Sequence, residues 1–171
     1  AFQAYSTPVM GQTPAFLFMI AVTIAGMTLA VMHNAVSISF LAVLGGLLTP
    51  VLVSTGQDSR DVLFAYLLVL NLGVIGVAFF RGWRLLDTLA MAGTFILYAA
   101  WFARFYKPET LGPALAWLAA FYVAYLVLPF VYHLARKQPV TVERFLMAIA
   151  NAAFCASYAW YMLRTDQLFV M

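Results

Sequence analysis

Apolar residues run along this chain in six long stretches, at about residues 14–32, 36–54, 62–80, 85–103, 111–134 and 142–163, separated by short polar breaks. The few charges inside these limits, Asp87, Glu143 and Arg144, stay close to an end. Some 20 helical residues cross roughly 30 Å of hydrocarbon, so each stretch is about long enough for a transmembrane helix. A barrel reading fails on period. Barrel strands alternate apolar and polar residues over about ten positions, whereas the run Val62-Leu63-Phe64-Ala65-Tyr66-Leu67-Leu68-Val69-Leu70 is apolar throughout. The pattern therefore predicts an all-α, polytopic bundle of about six transmembrane helices forming one domain.

The breaks refine that picture. Thr13 and Pro14 fit an N-cap and first helical position. The connector His33-Asn34-Ala35 is so short that the first two helices must form an antiparallel hairpin. Polar turns follow at residues 55–61 and 81–84, then Arg104-Phe105-Tyr106-Lys107-Pro108-Glu109, then the loop at 136–141. Small residues let helices approach closely in lipid. Ala116, Ala120 and Ala124 in the fifth helix, Ala148, Ala152 and Ala156 in the sixth, and Gly73 with Gly76 in the third are the stripes expected to face neighbours.

Composition supports the membrane reading. The chain is 65% hydrophobic and only 9% charged, against about 25% charged in soluble domains. A soluble bundle could not clothe its surface with so few polar side chains. Aromatic residues make up 16%, as expected where Trp and Tyr sit between acyl chains and headgroups. The net charge of +3 is scattered between apolar runs rather than gathered on one face, so no nucleic-acid partner is expected. The lipid bilayer is. Six helices place Arg81, Arg84, Arg136, Lys137 and Arg144 on one side and Arg60, Arg104, Lys107 and Arg164 on the other. The excess of one tips the balance only slightly toward a cytoplasmic first side and does not fix the orientation. The chain opens at Ala1 without an initiator Met and runs apolar through Leu168-Phe169-Val170-Met171, which reads as a segment of a longer membrane protein.

Candidate chemistry centres on the second helix. In Leu44-Gly45-Gly46-Leu47-Leu48-Thr49-Pro50 the paired glycines weaken the helix, and Pro50 removes the bond to the Gly46 carbonyl. Bending or unwinding is expected between Gly45 and Pro50. The freed carbonyl needs a donor, which Thr49 or a neighbouring helix could supply. Counting depth from the helix ends nominates Asn71 of the third helix. Interrupted helices build ion or substrate sites in many transporters; the plainer alternative is a tightly packed kink. Thr94, Asn151 and Cys155 are the other polar residues at depth, expected to bond between helices.

Other residue types fit no reaction. Cys155 is the sole cysteine and lies in an apolar run, as a small hydrophobe does. His33 and His133 have no His, Cys or carboxylate at ligand spacing, so no metal or cofactor is expected. Arg84 and Asp87, three residues apart in a first helical turn, read as a surface pair of little energetic value. No acidic residue lies deep in a span, and the phosphate-binding Gly-Lys-Ser/Thr loop and the Gly-x-Ser-x-Gly elbow do not occur. Nothing here predicts an enzyme.

Residues 44–56, followed by Leu63-Phe64-Ala65-Tyr66-Leu67 and Asn71-Leu72-Gly73, resemble a bacterial family of predicted membrane proteins, domain-of-unknown-function family 2339. Arg81-Gly82-Trp83-Arg84 and Ala92-Gly93-Thr94 are similar to it as well. The likeness covers about residues 15–101 closely and the last two helices loosely. It implies a longer, multi-pass protein of a Gram-negative inner membrane, and it implies no activity. The leading functional expectation is a structural or accessory helical-bundle subunit, with other membrane subunits or the rest of its own chain as partners. The rival is a transporter or channel module with its site at Gly45, Gly46, Thr49, Pro50 and Asn71. A third reading is a membrane enzyme acting on lipid-linked substrates through Asp58 and Asp61.

Overall fold

The computed structural model describes residues 18, 21–26, 28–29, 32–33, 36–52, 58–80, 83–136 and 142–169, with side chains at all of these except 78–80, 84, 128–136 and 166–169. The first predicted span is seen in part: residues 18, 21–26, 28–29 and 32 are helical and are called α1 here. The complete helices are α2 (Val36–Leu52), α3 (Arg60–Phe80), α4 (Arg84–Phe105), α5 (Leu111–Arg136) and α6 (Val142–Phe169), and a single 3-10 turn, Pro108–Thr110, leads into α5. No strand occurs among the described residues. The proposed cap at Thr13 and Pro14, and most of the connecting loops, lie outside them.

Four helices, α3 to α6, are long and apolar enough to cross a membrane, and α2 is apolar but shorter at 17 residues. The protein is an all-α transmembrane bundle. Several helices outrun the apolar stretches that predicted them. The third starts at Arg60 rather than Val62; Ser59 accepts the Leu63 N–H as the first helical bond, and Asp58 Oδ1 accepts the Arg60 backbone N–H at 3.2 Å just before it. The sixth continues past Arg164 to Phe169. Hydropathy ends where lipid ends, whereas a helix stops only where the backbone is broken.

Pairs of touching residues give the helix directions. Asn71 meets Thr94 while Phe64 meets Trp101, so α3 and α4 run antiparallel. Asp61 with Trp117, Phe64 with Phe121 and Asn71 with Tyr125 advance together, so α3 and α5 are parallel. Thr88 with Met147 and Phe102 with Tyr158 make α4 and α6 parallel likewise. Gly26 lies against Ala42 and Thr23 against Gly46, the antiparallel hairpin expected of α1 and α2. Helices α3, α4 and α5 form the centre; α2 packs on α3 and α4, and α6 on α5.

Aromatic rings fill that centre. Phe64 stacks on Tyr98 at 5.1 Å and meets Trp101 and Phe121 edge-on, while Phe95 stacks on Phe154 at 4.1 Å. Lipid tails are as apolar as these side chains, so burial here gains ring contact and dispersion rather than release from water. Each such pair contributes about 0.5–1.5 kcal/mol beyond its area.

The small-residue stripes face neighbours only in part. Ala124 is buried and Ala120 and Ala148 are half-buried, but Ala116, Ala152, Ala156 and Gly76 are exposed, and nothing lies within 4 Å of a Cβ built on Gly76. The groove between α5 and α6 is lined by Ala152 and Ala156 of the stripe together with Leu118, Tyr122 and Cys155. The close approaches occur elsewhere, at Gly46 against Leu70 and at Gly93 against Leu47.

Candidate functional site

The helical assignment of α2 runs unbroken through Gly45, Gly46, Thr49 and Pro50, so the segment expected to bend or unwind is not unwound. Its freed carbonyl is nevertheless paired. The Tyr66 hydroxyl of α3 donates to the Gly46 oxygen at 2.8 Å, and the Thr49 hydroxyl donates to the Gly45 oxygen at 2.8 Å. Tyr66 takes the part assigned to Asn71. A depth count that ends helix two at Ser54 and begins helix three at Val62 points to Asn71. With the ends at Leu52 and Arg60, Gly46 lies six residues before one (52 − 46) and Tyr66 six after the other (66 − 60). Leu70, one turn beyond Tyr66 on the same face, packs against Gly46 as well.

Asn71 turns toward the opposite side of α3 and is 1% exposed. Its Nδ2 donates to Thr94 Oγ1 of α4 at 3.0 Å, and its Oδ1 accepts the Tyr125 hydroxyl of α5 at 2.7 Å. Thr94 Oγ1 lies 3.0 Å from the Tyr125 oxygen. When Thr94 donates to Tyr125, the three side chains form one closed ring in which every hydroxyl both gives and receives. The ring joins the three central helices at membrane depth. Thr94 bonds between helices, as expected.

Asn151 and Cys155 make a second polar link. Asn151 Nδ2 donates to the Tyr122 carbonyl of α5 at 3.1 Å, and the Cys155 thiol lies 3.6 Å from Asn151 Oδ1. Tyr98 donates to the Ala114 carbonyl at 3.1 Å. Exposed hydroxyls bond back to their own helix, as Thr28 does to Ile24, Ser157 to Phe154 and Thr165 to Tyr161. Ser39 Oγ stands apart: it is fully buried, with no hydrogen-bond partner among the described residues.

Charged residues gather at the two ends of the bundle. At one end Asp58 accepts the Trp101 indole N–H and Asp61 accepts that of Trp117, both at 2.9 Å, while Arg60 pairs with Asp61 at 3.1 Å. These indoles sit as membrane-interface tryptophans do, with the ring apolar and the N–H bonded. At the other end Asp87 corrects the sequence reading. It is 3% exposed, and its Oδ2 lies 3.9 Å from the Arg144 guanidinium of α6. The Arg84 side chain, its expected partner, lies outside the described residues. A first-turn position placed Asp87 near the surface, but α6 packs over it.

His33 is exposed, and the His133 side chain lies outside the described residues. Among the described residues no three His, Cys, Asp or Glu side chains gather closely enough to hold a metal ion. Sequence reasoning missed Tyr66, Tyr125, Trp101 and Trp117 as structural donors. The available signal was register. A tyrosine that meets a proline-freed carbonyl in an adjacent antiparallel helix can be found by counting, once both helix ends are right.

The fold and its polar core define a multi-pass helical membrane protein whose deep polar groups largely bond within the bundle. The chain belongs to the DUF2339 family of predicted membrane proteins, which it matches over residues 1–168. That match takes in the last two helices, where the likeness read from the residues was loose. No curated protein and no solved structure matches it.

Proposed function

We propose that this chain is a structural or accessory helical-bundle subunit that scaffolds or completes a larger assembly in a bacterial inner membrane. One observation carries the reading: the Asn71–Thr94–Tyr125 ring commits the most deeply buried polar side chains of three helices to one another. Such a ring fixes helix register and partner choice. A transport site of the broken-helix kind would turn its unpaired carbonyls toward a cavity. Here the Gly46 carbonyl bonds to Tyr66, and this favours the scaffold over a transporter or channel. The same end-to-end pairing accounts for Asp58 and Asp61, which accept from Trp101 and Trp117, without assigning them an enzymatic step.

The test is purification of the intact gene product in mild detergent, with its mass and co-purifying subunits read by native mass spectrometry. A discrete assembly that loosens when Asn71 is replaced by Leu supports the proposal. A lone subunit that carries solute flux in proteoliposomes, with flux lost on Pro50→Ala, overturns it in favour of transport.

A further inference from the structure

A groove of about 500 Å³ runs along the seam of α5 and α6. Leu118 and Cys155 are buried in its floor, and Ala119, Ala152 and Ala156 are exposed along its edges. From Ala152 to Ala159 it follows α6 for seven residues (159 − 152), about 10 Å or two helical turns. The seam lies on the least covered flank of the bundle. Only 17% of the α6 span and 22% of the α5 span are buried, against 44% of the α4 span.

Tyr122 also lines the groove. Its backbone carbonyl accepts from Asn151, but its hydroxyl has no hydrogen-bond partner among the described residues. Depth makes that costly. Arg144 and Arg164 stand 20 residues apart on α6 (164 − 144), about 30 Å of helix and the full thickness of the hydrocarbon. A helical tyrosine leans back over the turn before its own. Since α5 and α6 are antiparallel, the hydroxyl is carried from the level of Asn151 toward that of Cys155, close to the midpoint at Phe154. Water is absent at that depth, and an unpaired hydroxyl there costs free energy.

We propose that the groove seats a transmembrane helix of another subunit, one that brings a hydrogen-bond acceptor to Tyr122 at mid-membrane. An acyl chain fills apolar space but leaves the hydroxyl unpaired. A helix supplies the acceptor as a side-chain amide or hydroxyl, or as a carbonyl freed by its own proline. The alanines on both edges let its backbone come close. A second copy fits less well, because a two-fold axis along the membrane normal brings the same concave seam against itself. The docking rests on the subunit reading and gives it a surface.

A compact diazirine side chain should be introduced at Ala119 in the intact gene product, with Ile96, exposed at 68% on α4, as the lipid-facing control. In native membranes Ala119 should crosslink to an apolar segment of about 20 residues in one different protein, and Ile96 to lipid. Ala156→Phe, which fills the groove from an exposed position, should abolish the protein adduct. Tyr122→Phe should lower its yield about fivefold, the worth of one hydrogen bond between membrane helices. The melting temperature of the purified chain should not fall with it, because the hydroxyl has no partner within the bundle. Crosslinks to lipid alone or to a second copy, an undiminished adduct in Tyr122→Phe, or a lower melting temperature of that variant would overturn the docking. Should native mass spectrometry still find a larger assembly, the groove assignment fails alone; should it find a lone chain, the subunit reading falls with it.

Discussion

The hydroxyl of Tyr66 donates to the carbonyl oxygen of Gly46 at 2.8 Å, and Gly46 is the residue whose carbonyl Pro50 cannot bond. In an unbroken helix the amide four residues later would fill that oxygen; proline has none. In hydrocarbon no water can take its place. The adjacent helix supplies the missing donor, and glycine lets it come close: a Cβ built on Gly46 would lie 2.8 Å from Leu70 Cδ1. The glycine, the proline and the tyrosine are thus parts of one joint between α2 and α3.

A double-mutant cycle measures that joint. Tyr66→Phe alone leaves a buried carbonyl unpaired and should cost about 1–3 kcal/mol. Pro50→Ala restores an amide to the Gly46 oxygen, so Tyr66→Phe in that background should cost less than half as much. Unfolding in mixed micelles would read the two costs. Strict additivity would mean that the tyrosine and the proline act independently.

The two neighbouring glycines should respond in opposite directions. Nothing lies within 4 Å of a Cβ on Gly45, so Gly45→Ala should stabilise α2 by about 0.5–1 kcal/mol through backbone entropy. Gly46→Ala presses on Leu70 and Gly93→Ala on the side chain of Leu47. Each should destabilise the bundle by about 1–3 kcal/mol. Gly93 should suffer the more, because a Cβ there meets three carbons of Leu47 at close range, branch point included, whereas at Gly46 only the tip of Leu70 is close. Thermal unfolding of the three variants gives the order.

Helix existence was legible because hydrocarbon demands long apolar runs, and the break at Gly46 and Pro50 was legible because proline chemistry is local. Partners were less so. Asn71 was nominated for the Gly46 carbonyl through helix ends set by hydropathy, which marked Ser54 and Val62 where the helices end at Leu52 and begin at Arg60. Four residues of combined error move the count by about a turn, from Tyr66 to Leu70 on the same face, and Asn71, one residue further, lies about 100° round the helix. Tyr66 and Tyr125 escaped notice because a tyrosine in an apolar run reads as an aromatic until a carbonyl or an amide is placed beside it. Asp87 escaped because burial by α6 is a tertiary fact that first-turn spacing does not contain.

The ring at Asn71 predicts non-additive losses. Asn71→Leu, Thr94→Val and Tyr125→Phe each open the same closed circuit, and each should cost about 1–2 kcal/mol, the upper part of the range for hydrogen bonds between membrane helices. Once one member is gone the others have already lost a partner, so Asn71→Leu with Thr94→Val should cost well under the sum. Equal addition in detergent unfolding would show the contacts to be three separate bonds.

Helix direction gives the last prediction. The parallel course of α4 and α6 puts the first turns of both on one membrane face, where Asp87 lies beside Arg144. The antiparallel course of α3 and α4 puts Arg104 and Lys107, past the Trp101–Asp58 contact, on the other. Cysteines introduced at Leu85 and Glu143, both exposed, should therefore react together with an impermeant thiol reagent on one side of sealed vesicles. Those at Arg104 and Lys107, also exposed, should react only from the opposite side. Cys155→Ala provides a silent background, since the native thiol is buried in the bundle. Labelling of Leu85 and Glu143 from opposite sides would break the parallel pairing of α4 and α6, and with it the Asp87–Arg144 contact. By sequence alone, the segments 81–84 and 136–144 hold five basic residues, against four in Arg60, Arg104, Lys107 and Arg164. The bias of basic residues toward the cytoplasm therefore predicts that Leu85 and Glu143 react in inside-out vesicles and are protected in intact cells.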